Sequence, residues 1–187
     1  KADALAGIPV LINIDHHISN QAFCEPAWID AEASSTGEMI FRLAEALGAE
    51  ITMDIAVNLY TAIVTDTGSF RYANTGAETL RVASKLVEKG VNPYLIAENV
   101  YESTPVEKMR LLSKALTTLE FEWQGRIGSI LVSQDMFAQA GARPEHADSF
   151  ADFVRAIEGV EVGVFYTEMP DGRYKVSFRS KGRIDVE

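Results

Sequence analysis

A short, nearly continuous apolar run, Val10-Leu11-Ile12-Asn13-Ile14, ends abruptly in Asp15-His16-His17. Apolar residues in succession, without polar alternation, read as a strand buried on both faces of a parallel sheet. The segments that follow are helical. Ser35-x-x-Glu38 is a capping box that opens a helix to about Leu47, stopped by Gly48. Residues 54–64 place Ile55, Leu59 and Ile63 beside Val57, Tyr60 and Val64 at helical spacing, with a wide apolar face. Thr75-x-x-Glu78 opens a third helix closed by Gly90, and Asn92-Pro93 opens a fourth, with proline where its missing N–H costs nothing. A buried strand followed by amphipathic helices makes residues 1–104 an α/β unit with a parallel sheet.

The remainder follows another pattern. Thr104-Pro105-x-Glu107 starts a helix to about Leu119, read as a connector over residues 105–120. Residues 119–123 and 127–132 flank Gln124-Gly125 as a hairpin, and residues 160–168 and 174–178 flank Pro170-Asp171-Gly172 as a second. Between them, residues 148–157 read as a helix ended by Gly159. Residues 121–187 are therefore expected to form a smaller α+β domain with a mixed or antiparallel sheet. Charge shifts at the same join. Residues 1–104 carry 6 Lys/Arg against 14 Asp/Glu, whereas residues 105–187 carry 11 against 13.

The net charge of −10 argues against a general binder of long duplex nucleic acid, which needs a cationic surface. A single cysteine, Cys24, excludes an internal disulfide and any thiolate metal cage. No apolar run reaches the roughly 18 residues of a membrane span, and no signal peptide opens the 187 residues, so the cytoplasm is the expected compartment. The chain has no initiating Met and reads as part of something longer.

Three groups of residues point to chemistry. Asp15-His16-His17 stands at the carboxyl end of the buried strand, where open α/β sheets hold ligands. Imidazole beside carboxylate is a common donor set for divalent metals, although a solvated strand end would read the same way. Thr65-Asp66-Thr67-Gly68 follows the second helix as a tight loop in which Asp66 can point into a crevice, or simply an Asx turn. Clustered carboxylates are relieved by a cation, so the two segments together suggest a divalent metal. In the second domain Arg173, Lys175, Ser177, Arg179 and Lys181 share one parity and Tyr174, Val176 and Phe178 the other. That period places the cations on one strand face, suited to phosphate or merely solvated, and the apolar residues toward the core. His146 in a polar loop reads as exposed and inert, and Cys24 as structural.

These motifs, in order and nearly end to end, resemble the DHH-family phosphoesterases, specifically the two-domain oligoribonuclease/pAp-phosphatase type. The resemblance is carried by Ile14-Asp15-His16-His17 with Ser19-Asn20, Ser35-Thr36-Gly37-Glu38, Thr65-Asp66-Thr67-Gly68-Ser69-Phe70-Arg71 and Val176-Ser177-Phe178-Arg179-Ser180. It implies a dinuclear Mn²⁺ centre with His16 and Asp66 as metal ligands. It also implies His17 facing the substrate phosphate, Asp15 supporting the cluster, and substrate contacts from Asn20, Arg71, Ser177 and Arg179. The expected reaction is hydrolysis of short oligoribonucleotides, or of 3′-phosphoadenosine 5′-phosphate. The rival readings are a cyclic-dinucleotide phosphodiesterase on the same scaffold and a non-catalytic nucleotide-binding module. The family pattern also carries metal-binding aspartates upstream of the triplet and a Gly-rich, His-containing segment near the C-terminus. Neither lies within this sequence, so the full two-metal site is expected of a longer chain. The apolar helices over residues 92–102 and 106–119 could support a homodimer.

Overall fold

The computed structural model describes residues 11–181, 184 and 186. The chain divides into two compact units, Lys1–Glu102 and Ser103–Glu187. In the first, β1 (Asn13–Asp15) pairs in parallel with β2 (Ala27–Ile29), and helices α1 (Thr36–Ala46), α2 (Met53–Asp66), α3 (Ala77–Glu88) and α4 (Pro93–Ala97) follow. A π-helical turn, Glu98–Glu102, continues α4. Phe41, Ala56, Ile63, Val82 and Leu86 form the core of this unit. Each of the larger of these side chains, Phe41, Ile63, Val82 and Leu86, fully withdrawn from water, contributes on the order of 1.5–3 kcal/mol.

The helix starts follow the sequence with two shifts. Ser35 Oγ accepts the Glu38 N–H at 3.0 Å, but the Glu38 carboxylate does not close the box. It is buried and accepts instead from Ser34 Oγ at 2.6 Å and Thr79 Oγ1 at 2.9 Å, joining α1 to α3. The third helix begins at Ala77 with Gly76 at its cap, so Thr75 is not the capping residue, and Thr79 Oγ1 accepts the Gly76 N–H. Gly37 lies where α1 meets α2, and a Cβ there would come within 2.8 Å of Ala62 Cβ.

The second unit opens with α5 (Val106–Leu116), continues through β3 (Glu120–Glu122), β4 (Ile127–Val132), α6 (Gln134–Ala140) and α7 (Phe150–Arg155), and ends in β5 (Val162–Glu168) and β6 (Tyr174–Ser180). The sheet order is β3-β4-β5-β6, with antiparallel hairpins at both ends and a parallel β4–β5 pair in the middle. A mixed sheet results because α6 and α7 provide the crossover that a parallel pair requires. Helix α5 is not a free connector, since Leu111, Leu112 and Ala115 join Ile130, Val132, Phe150 and Phe165 in this unit's core. At Gly163 a Cβ would come within 2.6 Å of Ala151 O, so α7 rests directly on the β5 backbone.

The faces of β6 are the reverse of the sequence expectation. Register sets Lys175, Ser177 and Arg179 opposite Thr167, Phe165 and Gly163, on the side that α7 covers. Tyr174, Val176 and Phe178 lie on the other side and are 51%, 40% and 44% exposed. As an edge strand, β6 lets long cationic stems pass the margin of α7, whereas its apolar residues face away from the helices.

Candidate active site

Parallel pairing carries β1 as far as Asp15, and the Asp30 N–H fixes the Asp15 carbonyl at 3.1 Å. Beyond that point the strand ends and the side chains of the triplet converge. Asp15 Oδ1 accepts from the backbone N–H of His16 at 2.8 Å, from that of His17 at 3.2 Å, and from His17 Nδ1 at 2.6 Å. Asn20 donates to Oδ2. Burial alone would raise the Asp15 pKa, but the bonds from Asn20, His17 and the two backbone amides outweigh it, and the carboxyl is held well below its usual range. An ionised carboxylate can only accept, so His17 Nδ1 is the donor in this contact.

His16 points elsewhere. Its Nε2 lies 3.5 Å from Asp66 Oδ2, with the two side chains 16% and 42% exposed. Asp66 is not in a loop, because α2 extends through it and Thr67 forms the cap. Thr67 is fully buried; its hydroxyl donates to Ile63 O at 2.7 Å and accepts the Phe70 N–H at 3.0 Å. Gly68, Ser69 and Phe70 then take left-handed φ values of 54°, 60° and 61°. Non-glycine residues adopt this conformation only at a cost of roughly 1–2 kcal/mol each. The turn is held by Ser69 N–H to Val64 O and by the Arg71 and Tyr72 N–H groups to Thr67 O. Arg71 adds a 2.6 Å bond from Nε to Gly68 O. On the other side, Asn74 Nδ2 donates to both Ser34 O and Asp66 O, tying the end of α2 to the segment ahead of α1.

The donor set suits a divalent cation. Metal–imidazole and metal–carboxylate bonds of about 2.0–2.2 Å put two ligands of one ion roughly 3–3.5 Å apart, which matches the His16–Asp66 separation. Ligand atoms of Asp15, His16 and His17 also lie within 4.8 Å of one another. The Asp15 oxygens are already occupied by hydrogen bonds, which makes His16 and Asp66 the better-suited pair.

In the second unit Lys175, Ser177 and Arg179 line a cavity of about 570 Å³ with Ser149, Phe165 and Thr167. Arg179 Nη1 donates to Phe178 O, and its Nε lies 3.9 Å from Asp152. The outer cations of the row are committed elsewhere, Arg173 to Asp171 at 2.7 Å and Lys181 to Ile157 O at 3.0 Å.

No family model matches the chain. The bifunctional oligoribonuclease and PAP phosphatase NrnA of Thermus thermophilus is 37% identical over 186 residues, covering 98% of this chain and 55% of that protein. The DHH-family resemblance is borne out. The NrnA protein of Bacillus subtilis is 28% identical over 177 residues, covering 93% of this chain and 56% of its own length. A crystal structure of an exopolyphosphatase-related protein from Bacteroides fragilis superimposes with a TM-score of 0.89 at 27% identity, over 96% of this chain and 53% of that one. The chain thus spans about half the length of the relatives it matches.

Of the residues that the DHH motifs single out, the structure brings together Asp15, His16, His17, Asn20 and Asp66 at the end of β1. Arg71 follows on the turn after Asp66, and Ser177 and Arg179 share the second-unit cavity. Asn20 directs its amide to Asp15, Asn13 and Ala22. Asn13, Glu38 and Asn74 were not legible as site residues: Asn13 sits inside an apolar run, Glu38 reads as a cap, and Asn74 belongs to no motif. His146 is buried at 8% exposure, not exposed as expected, because the Pro144–Ala147 turn folds its Nδ1 back onto the Arg143 N–H at 3.2 Å. Among the described residues no helix is long and apolar enough to cross a membrane.

Proposed function

We propose that this chain is part of a Mn²⁺-dependent phosphoesterase that hydrolyses short RNA oligonucleotides to mononucleotides and removes phosphate from 3′-phosphoadenosine 5′-phosphate. The observation that carries this reading is the approach of His16 Nε2 to Asp66 Oδ2, two donors far apart in sequence and spaced as ligands of one cation. The names of the relatives from Thermus thermophilus and Bacillus subtilis support the substrate class. Bound Mn²⁺ would be held by His16 and Asp66 and would supply Lewis-acid polarisation of a phosphoryl oxygen.

The chain's own residues do the rest. Asp15, hydrogen-bonded to His17 Nδ1, fixes the orientation of the ring that would face the substrate phosphate. Arg71 adds positive charge near the reacting phosphate, braced through Gly68 O. Lys175, Ser177 and Arg179 bind the nucleotide portion through charge-assisted bonds. Glu145 and Asp148 line the same cavity, so Lys175 and Arg179 act through direct contacts with the anionic substrate and not through a net positive field.

The test is turnover of a dinucleotide and of 3′-phosphoadenosine 5′-phosphate by the full-length protein with Mn²⁺. Residues that merely support a metal ligand cost about 10–100-fold when removed. His16→Ala and Asp66→Ala should each exceed that loss and reduce bound Mn²⁺. Undiminished turnover in either variant would remove the metal assignment. Product from cyclic di-AMP in preference to the linear substrates would replace the substrate assignment.

A further inference from the structure

Beneath the triplet, Asn13 and Asn20 form a closed amide pair. Asn13 Nδ2 donates to Asn20 Oδ1 at 2.9 Å, and Asn20 Nδ2 returns a bond to Asn13 Oδ1 at 3.3 Å. The second hydrogen on Asn20 Nδ2 goes to Asp15 Oδ2, and Asn20 Oδ1 also accepts the Ala22 N–H at 2.8 Å. A carboxamide has two donor hydrogens and one oxygen with two lone pairs. All four capacities of Asn20 are therefore filled from within the chain, and a substrate would have to displace one of them. Asn13 is only 5% exposed and is out of reach of any ligand.

The role of this pair follows from what Asp15 needs. Three donors converge on Oδ1 alone. The terminal torsion of an aspartate is broad and soft, so a bond to Oδ2 is what fixes the carboxylate plane. The plane in turn sets the line along which Oδ1 meets His17 Nδ1. We infer that Asn20, braced by Asn13, is a positioning residue for Asp15 and not a substrate contact, and that it thereby holds His17 in the tautomer with hydrogen on Nδ1. Its kinetic consequence rests on the phosphoesterase reading above, but its structural consequence does not.

Two measurements on the full-length protein test it. In metal-free protein with ¹⁵N-labelled histidine, two-bond ¹H–¹⁵N spectra should show neutral His17 protonated on Nδ1 in the wild type. In Asn20→Ala the two tautomers should be mixed. With Mn²⁺ and a dinucleotide, Asn20→Ala should lower kcat by about 10–100-fold with KM changed less than about twofold. Asn13→Ala should act in the same direction, and the double variant should be no slower than Asn20→Ala, because the pair acts as one unit. A raised KM at unchanged kcat in Asn20→Ala would make that amide a substrate contact and overturn the inference. An unaltered His17 tautomer in Asn20→Ala would overturn it too, and this arm needs neither activity nor a folded Asn13→Ala. If the wild type turns over no phosphoester, the functional reading fails, and the tautomer spectra decide the positioning role alone.

Discussion

Asp15 and Asp66 are both carboxylates at the ends of apolar elements, yet their surroundings give them different work. Asp15 is saturated by donors and behaves as a fixed acceptor that orients a histidine. Among the described residues Asp66 accepts from no comparable set; it lies against His16 Nε2, a contact that a cation would complete. This division was partly legible in the sequence, because an Asp-His-His triplet after an apolar run has few structural uses. Which carboxylate would ligate and which orient came from the family resemblance and not from the residue pattern itself, since in the structure it depends on Asn20 folding back onto Asp15. In the second unit, Ser177 and Arg179 meet in one cavity, and the proposed function gives them a binding role. A charge-assisted hydrogen bond contributes about 1.5–3 kcal/mol. Arg179→Ala is therefore expected to raise KM by roughly 10-fold or more and leave the Mn²⁺ content unchanged. Unchanged KM would exclude Arg179 from the binding site.

Most elements that local chemistry dictates were read correctly, the Thr75 cap and the Ser35–Glu38 box excepted, whereas β2 and the facing of β6, set by tertiary packing, were not. Caps and stops at Ser35, Gly48, Gly90 and Asn92 act over one helical turn, so they can be seen in a linear chain. Strand β2 has only three residues, Ala27-Trp28-Ile29, too few to show a period, and it exists because β1 needs a parallel neighbour. The orientation of β6 was invisible for a similar reason. Alternation shows that its two faces differ, but the position of α7 determines which face is covered. That position depends on Gly163, where the helix backbone sits on the strand. Gly163→Ala should push α7 off the sheet and destabilise the second unit by about 1–3 kcal/mol, measured by denaturant unfolding. Mn²⁺ affinity should be unaffected, because the proposed ligands lie in the first unit. Wild-type stability in this variant would show that α7 does not set the face of β6.

At the scale of the molecule, the two compact units separate two kinds of chemistry. The first is acidic and gathers imidazole and carboxylate at the end of a parallel strand pair. The second is nearly neutral and places cations beside a hydroxyl on a mixed sheet. The charge shift between residues 1–104 and 105–187 carries this partition in the sequence itself. On the proposed reading, metal attraction and phosphate attraction, which need opposite fields, are built on different cores. The claim on which this partition depends is that His16 and Asp66 share a cation. The most direct test is anomalous diffraction from crystals of the full-length protein soaked in Mn²⁺. A peak within about 2.5 Å of both His16 Nε2 and Asp66 Oδ2 is the predicted result, and a peak touching neither residue, or only one, would contradict it.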